Sequence, residues 1–314
     1  MAQAPTGAAA AAEPLPAPTT AAEPEVLSLA GGGGVRLYGA VWRPAGSAGS
    51  AGASAAPRAT VLLAHGYGEH LGRYAHVVAA LTAGGYAVAG LDHRGHGQSA
   101  GRRADVVRFD DYVADLDVLA RHARATVATP GARLFLLGHS MGGLIAVRYA
   151  LRHGTDPAVA LAGLALSGAA LSIGNDVSPA LRRASGILAR LVPTLPVVRA
   201  GEAGILSRDP EVERRFGLDP LTYKGKLRAR MGHQMVGAAA DATARLGDLT
   251  LPLLAMHGAD DKLTDPDGTV LAVEVAASAD KTLKLWPGLR HELFNEPERA
   301  EVLAYLLAWL DARS

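Results

Sequence analysis

No cysteine occurs anywhere in the 314 residues, which removes disulfides, thiolate nucleophiles and cysteine-based metal sites at once. Aromatic residues make up only 5% of the chain, so a core has to be built mainly from aliphatic side chains. Neither sign of charge dominates: 31 Lys and Arg face 30 Asp and Glu, and with no basic excess there is no electrostatic footprint for nucleic acid. No run approaches 18 strongly apolar residues, so no membrane-spanning helix is expected. The first 24 residues are rich in Ala, Pro and Thr and hold no Lys or Arg. Their only apolar run, Ala8 to Ala12, ends in Glu13-Pro14, unlike the basic start and Leu-like core of a secretory signal. Residues 1–24 therefore read as a disordered tail, and the expected location is the cytoplasm.

What is present is organised around Arg133-Leu-Phe-Leu-Leu-Gly138-His139-Ser140-Met141-Gly142-Gly143. An apolar run of strand length meets Gly-His-Ser-Met-Gly, and the helical pattern of Leu144, Ile145, Val147 and Tyr149 starts at once. This is the strand, sharp turn and helix of a nucleophile elbow, with the serine hydroxyl exposed beside free N–H groups of a new helix. The five-residue pattern alone is weak: 37 Gly and 13 Ser give about 0.2 chance matches. A second match, Gly97-Gln98-Ser99-Ala100-Gly101, lacks both the preceding strand and the following helix. Context selects Ser140.

Glu25 to Leu29 and Val35 to Trp42 read as a hairpin about Gly31 to Gly34. Those four glycines lack the helix and the Lys-Ser/Thr ending of a phosphate cradle. A Gly/Ser/Ala spacer covers Ala45 to Arg58. From residue 60 to residue 168 short apolar strands alternate with helical patterns: Thr60–Ala64, a helix near Arg73–Ala83, Tyr86–Leu91, a helix through Val113–Ala123, the elbow, and Leu161–Ser167. Strands short enough to be buried on both faces, separated by helices, predict a doubly wound, mostly parallel sheet with reactive groups at the strand C-terminal ends. The alternation stops at Ala169. Residues 170–248 carry Pro179, Pro193, Pro196, Pro210 and Pro220 between short helical pieces, with Ser178-Pro179 reading as an N-cap and first helical position. This is an inserted cap. Leu251–Met256 and Lys281–Trp286 resume the sheet, and a closing helix carries Leu303, Leu306, Leu307 and Leu310. The division is a tail over 1–24, a core over 25–169 and 249–314, and a cap over 170–248.

A serine nucleophile needs a base, and the base needs an acid that fixes its tautomer. In the α/β-hydrolase order of Ser, Asp/Glu, His, both partners belong beyond late strands. His257-Gly-Ala-Asp260-Asp261 offers two acids there, and an acid three residues after the glycine is Asp261. Of eleven histidines, His291 follows the last strand; His93 and His96, in a Gly-rich loop, read as structural. The oxyanion donors are backbone N–H groups: that of Met141, after the nucleophile, and one from the loop after Thr60–Ala64, where Tyr67 is best placed.

The stretches His65-Gly-Tyr-Gly-Glu-His70-x-x-Arg73-Tyr74, Asp92-His-Arg-Gly-His-Gly-x-Ser99, Gly138-His-Ser-Met-Gly-Gly143 and His291-Glu-Leu-Phe-Asn-Glu-Pro297 together resemble the bacterial monoacylglycerol lipases. The resemblance runs from about residue 60 to residue 312, through the cap segments Ser207–Glu211 and Asp219–Leu221, but not into the tail or the 45–58 loop. It implies an α/β-hydrolase fold, a Ser140, Asp261, His291 triad, oxyanion donors at Tyr67 and Met141, and hydrolysis of monoacylglycerol without metal or organic cofactor. A broad carboxylesterase or lysophospholipase would use the same groups. Dehalogenase and epoxide-hydrolase chemistry would need Asp at position 140, and a non-catalytic scaffold would be expected to lack a triad member. The cap run Gly186 to Val198 is too broken by proline to span a bilayer and unusually apolar for a surface loop. Ile187, Leu188 and Val192 are therefore candidates to line an acyl channel and touch a membrane or micelle transiently, with Arg182, Arg183 and Arg190 nearby.

Overall fold

The computed structural model describes residues 23–45, 56–129, 131–172, 179–198 and 204–314, with side chains from 185 onward in the helix that begins at Pro179. Most of the N-terminal tail, most of the 45–58 spacer, Ser178 and the side chains of Arg182 and Arg183 lie outside this set.

In chain order the first part comprises β1 (Glu25–Ala30), β2 (Arg36–Trp42), β3 (Ala59–Ala64), α1 (Ala75–Ala83), β4 (Ala87–Leu91), α2 (Asp110–Thr126), β5 (Arg133–His139), α3 (Met141–His153) and β6 (Leu161–Ser167). The segment that follows contains α4 (Pro179–Leu191), β7 (Pro196–Val198), α5 (Pro210–Leu218), β8 (Leu227–Arg228) and α6 (Ala229–Ala244). The chain closes with β9 (Leu253–Gly258), α7 (Pro266–Val275), β10 (Lys281–Trp286) and α8 (Arg299–Asp311). An eight-stranded sheet has the order β1-β2-β4-β3-β5-β6-β9-β10. β1 pairs antiparallel with β2, and β2 antiparallel with β4; every other neighbour is parallel. This is the α/β-hydrolase arrangement, a mostly parallel sheet with antiparallel strands at its N-terminal edge.

Side chains alternate across the strands, so each strand feeds two cores. Leu62, Leu134, Leu136, Leu164 and Leu253 join one, with Leu116 and Leu119 of α2 and Leu144 and Val147 of α3. Val61, Leu63, Phe135, Leu137 and Leu254 join the other, with Val77 and Leu81 of α1 and Leu306 and Trp309 of α8. Burial on both faces is why these strands read as continuous apolar runs, and truncating one such leucine to alanine costs about 2–5 kcal/mol. Between β6 and β9, α6 packs on α3 and α4, while β7 and β8 form a separate antiparallel pair.

Besides the β7–β8 pair in a segment expected to be helical, two local features differ from the sequence expectation. The helix expected from Arg73 begins as a 3-10 turn, Leu71–Tyr74, whose entry is capped by His70 Nδ1 accepting from the Gly72 N–H. Helix α7 was not anticipated, although Asp265-Pro266 is a standard start: Asp265 accepts from the Asp267 N–H with proline in the first turn.

Candidate active site

Ser140 stands between β5 and α3 with φ 54° and ψ −120°, backbone angles a side-chain-bearing residue takes only where its surroundings force them. Its N–H donates to the Ser167 carbonyl (3.0 Å), and its own carbonyl accepts from Ala170 N–H (3.0 Å). The flanking glycines have steric reasons: a Cβ on Gly138 would lie 2.5 Å from the Gly142 carbonyl oxygen, and one on Gly142 would overlap that of Ala64. The turn closes only without those two side chains.

The other Gly-x-Ser-x-Gly serine has a different position. Ser99 Oγ donates to the Asp92 carbonyl (2.5 Å) and accepts from the Tyr38 N–H (2.9 Å), tying a loop to β2.

His291, beyond β10, brings its Nε2 to 2.8 Å from Ser140 Oγ and its Nδ1 to 2.7 Å from Asp261 Oδ2. In the working tautomer Nδ1–H donates to the carboxylate and Nε2 accepts from the serine hydroxyl. Asp261, beyond β9, is held from several sides. Its Oδ1 accepts from the N–H groups of Leu263 (2.7 Å) and Thr264 (3.0 Å). Its Oδ2 accepts from Thr264 Oγ1 (2.8 Å) and from His257 Nε2 (3.0 Å), whose Nδ1 is in turn fixed by Thr269 Oγ1 (2.6 Å). Asp260 is exposed and meets the His291 loop only through its N–H, which donates to the Leu289 carbonyl (3.0 Å). Ser140, Asp261 and His291 therefore meet, all three buried.

Burial resists charge on both titrating partners, but their mutual attraction prevails. Asp261 is held well below the usual carboxylate range by the His291 charge and by hydrogen bonds from His257, His291 and Thr264. For His291, desolvation is outweighed by Asp261 and, further off, by Glu292 and Glu69, so its pKa lies above the ordinary imidazole value. A base must be neutral to accept a proton. Activity that depends on it falls as pH drops through this raised pKa, while Asp261 stays ionised. The acid limb of kcat/KM is expected to have its midpoint above about 6.5; a pH–rate profile on a soluble ester checks this, and a flat profile from pH 5 to 9 in folded protein would remove His291 as the base.

The loop after β3 lies directly against the serine, since a Cβ on Gly66 would sit 3.1 Å from Ser140 Cβ. The next amide in that loop is Tyr67's. The Tyr67 hydroxyl donates to the Ala104 carbonyl (3.2 Å), and its ring packs edge-on to His96 and Tyr223. Met141 opens α3, and the first N–H groups of a helix have no intrahelical carbonyl to bond. Tyr223 N–H donates to the Gly68 carbonyl (2.8 Å), and His70 Nε2 donates to Asp219 Oδ2 (2.8 Å), so the segment before β9 braces this loop. His93 and His96 are buried, with Nε2–H of His93 donating to the His65 carbonyl (3.1 Å) and Nδ1–H of His96 to that of Arg94 (3.1 Å). Burial lowers the His93 and His96 pKa values to about 3 and about 4, as suits neutral structural groups.

Among the described residues, Ile187 is 61% and Val192 43% exposed, while Leu188 is half-buried. Gly186, Ile187, Ala189 and Arg190 of α4 border a surface cavity of about 470 Å³ with Val107 and His233.

Sequence reasoning passed over the residues that hold the triad. Glu69, Arg73 and Glu292 form a buried ionic cluster beside it, and His257 supports Asp261. Each sits in a stretch singled out by its motif, but only the fold shows what it touches.

The chain is similar to known hydrolases along most of its length. Residues 55–298 match the family of hydrolases described as serine aminopeptidase, S33. A monoacylglycerol lipase of Mycolicibacterium smegmatis is 39% identical over 283 residues, covering 90% of this chain and 95% of that protein. Phospholipase YtpA of Bacillus subtilis is 32% identical over 256 residues, 81% of this chain and 96% of its own. The crystal structure of a Paleococcus ferrophilus monoacylglycerol lipase superposes with a TM-score of 0.75 at 27% identity, over 88% of this chain and 99% of that one.

Proposed function

The chain belongs to the serine aminopeptidase S33 family of hydrolases, and from that premise we propose that it is a serine esterase that hydrolyses monoacylglycerols to a free fatty acid and glycerol. The observation that carries the chemistry is the continuous contact from Ser140 Oγ through the His291 ring to Asp261, at 2.8 and 2.7 Å. The substrate class is supported by the likeness to the mycobacterial lipase along nearly the whole of both chains.

Ser140 Oγ attacks the ester carbonyl carbon while His291 Nε2 takes its proton, and Asp261 stabilises the imidazolium that forms. The N–H groups of Met141 and Tyr67 receive the oxyanion; losing one such donor costs about 3–4 kcal/mol of transition-state stabilisation. Collapse breaks the ester C–O bond, and His291 returns the proton to the departing glycerol oxygen. Water, activated by the same imidazole, then releases the fatty acid from Ser140. An aminopeptidase of this family would need a free carboxylate for a peptide amino terminus. The two acids of the cluster beside His291, Glu69 and Glu292, are buried and bound to Arg73, so neither is presented to a substrate amine.

Residues 170–248 act in this reading as a cap over the strand ends. Exposed Ile187, Leu191, Val192, Leu195 and Val197 give it an apolar outer face suited to a lipid surface. No helix among the described residues is long and apolar enough to cross a membrane, so contact is at the surface. Changing Ile187, Leu188 and Val192 together to serine is expected to weaken liposome binding by at least roughly tenfold, since each methylene removed from lipid forfeits about 0.8 kcal/mol. Long-chain turnover falls with it, while a short soluble ester is spared. Sedimentation with liposomes checks this, and unchanged binding would exclude the face as the contact.

The likeness to the Bacillus phospholipase supports a second reading, a lysophospholipase. A kinetic panel of mono-, di- and triacylglycerols, lysophospholipid and nitrophenyl esters separates the two. The highest kcat/KM is expected on a monoacylglycerol, and a higher value on lysophospholipid would move the assignment.

A further inference from the structure

We propose that Arg73, clamped between Glu69 and Glu292, is a positioning residue that locks the loop carrying the Tyr67 amide against the loop carrying His291. The inference rests on the esterase reading, in which both loops act on one carbonyl. The two loops come from opposite ends of the chain, and each must hold its group to within a fraction of an ångström for a base and an oxyanion donor to serve the same atom.

Arg73 Nη1 donates to Glu69 Oε2 (2.6 Å) and to Glu292 Oε1 (2.8 Å), and Nη2 donates to Glu292 Oε2 (2.8 Å). The pairing with Glu292 is bidentate, so it sets direction as well as distance. Each acid passes that constraint into its own loop. Glu69 Oε1 accepts from the Gly66 N–H (2.9 Å), one residue before the Tyr67 amide, and from the Tyr74 hydroxyl (3.2 Å). Glu292 directly follows His291; its N–H donates to the Leu206 carbonyl (2.8 Å), and its Oε2 accepts from Asn295 Nδ2 (2.7 Å). The guanidinium lies over the Phe216 ring, 5.0 Å from its centroid. All three charged side chains are at most one-tenth exposed. A buried cluster of this kind is a poor source of stability, because desolvation cancels most of the attraction; its distinctive product is fixed geometry.

The cluster sets two carboxylates against one guanidinium near the imidazole, and burial raises the Glu69 pKa against the pull of Arg73. The charged and titratable groups around His291 are Asp261, Glu292, Glu69 and His139, whose ring centroid is 4.9 Å away. Burial holds His139 neutral, with a pKa of about 3. Glu292 is buried, but Arg73 keeps it ionised, below its ordinary value. Glu292→Gln, which keeps the shape and removes the charge, should therefore move the acid limb of kcat/KM to lower pH. Arg73→Lys, which keeps the charge and removes the fork, should leave that limb in place.

The test uses the full chain, p-nitrophenyl butyrate, and active sites counted by stoichiometric phosphonate labelling, so that misfolded protein drops out of the rate. Expected for Arg73→Lys is a fall of at least about tenfold in kcat per labelled site with KM within about twofold, and for Glu292→Gln a similar fall plus the shifted limb. The double variant Arg73→Met/Glu292→Met removes both members of the bidentate pair and serves if either single variant fails to fold; the same tenfold loss is expected. A rate per labelled site within about twofold of wild type in the folded variants, or an unmoved limb in Glu292→Gln, overturns the clamp. A wild type that does not hydrolyse the ester through Ser140 would instead sink the esterase reading on which the clamp depends.

Discussion

Replacing Ser140 with alanine is expected to lower kcat on any ester by about 10⁶-fold, the scale on which a serine hydrolase loses its nucleophile. The fold should survive, because the Ser140 hydroxyl has His291 Nε2 as its partner and the strained turn is held by backbone bonds to Ser167 and Ala170. Ser99→Ala, at the competing motif, should keep most activity. It removes the donor to the Asp92 carbonyl and the acceptor of the Tyr38 N–H, a stability loss of about 1–2 kcal/mol rather than a chemical one. Steady-state kinetics with thermal melts separates the two variants. A serine-directed phosphonate should label Ser140; labelling at Ser99 would reverse the assignment.

Asp261→Asn is expected to lower kcat by about 10⁴-fold. The loss is one of tautomer, not of shape. Oδ2 of Asp261 faces the Nδ1 of His291 and the Nε2 of His257, both donors in the working arrangement. An asparagine amide placed there presents its own N–H to His291 Nδ1, which drives the imidazole proton to Nε2, the atom that has to accept from Ser140. Asp260→Asn should change kcat by less than about twofold, since that side chain is exposed and only its backbone meets the His291 loop. Kinetics of the two adjacent variants settles the matter directly. A large loss at Asp260 with a small one at Asp261 would show that the loop presents the other acid to the imidazole.

Particular residues show where sequence reading was strong and where it stopped. The strands at Leu161–Ser167 and Lys281–Trp286 match the observed bounds, because an apolar run in the first and an alternating Leu283, Leu285 pattern in the second end at abrupt turn signals. The start of α1 and the whole of α7 were harder. A 3-10 turn at Leu71–Tyr74 depends on His70 capping its own loop, and α7 buries only a few of its residues, so its apolar period is faint. The two Gly-x-Ser-x-Gly matches were separable by neighbours alone, since one has a strand before it and a helix after it.

By itself the sequence determined the order of the elements, the elbow, and the placement of Asp261 and His291 beyond late strands. These are local properties: a run of apolar residues, a glycine where a side chain would collide, a fixed spacing after a strand. Only the tertiary structure decided which distant side chains share a charge. Arg73 and Glu292 are separated by 219 residues, and nothing in either segment names the other. They meet because β3 and β10 lie in one sheet, so the loops beyond their ends face the same space. The exposure of Ile187 and Leu191 was likewise a matter of how α4 rests on α6, since a helix rich in apolar residues can turn them inward or outward without changing its sequence. Backbone conformation is encoded within a few residues; the pairing of buried charges is encoded in the strand order of the whole sheet.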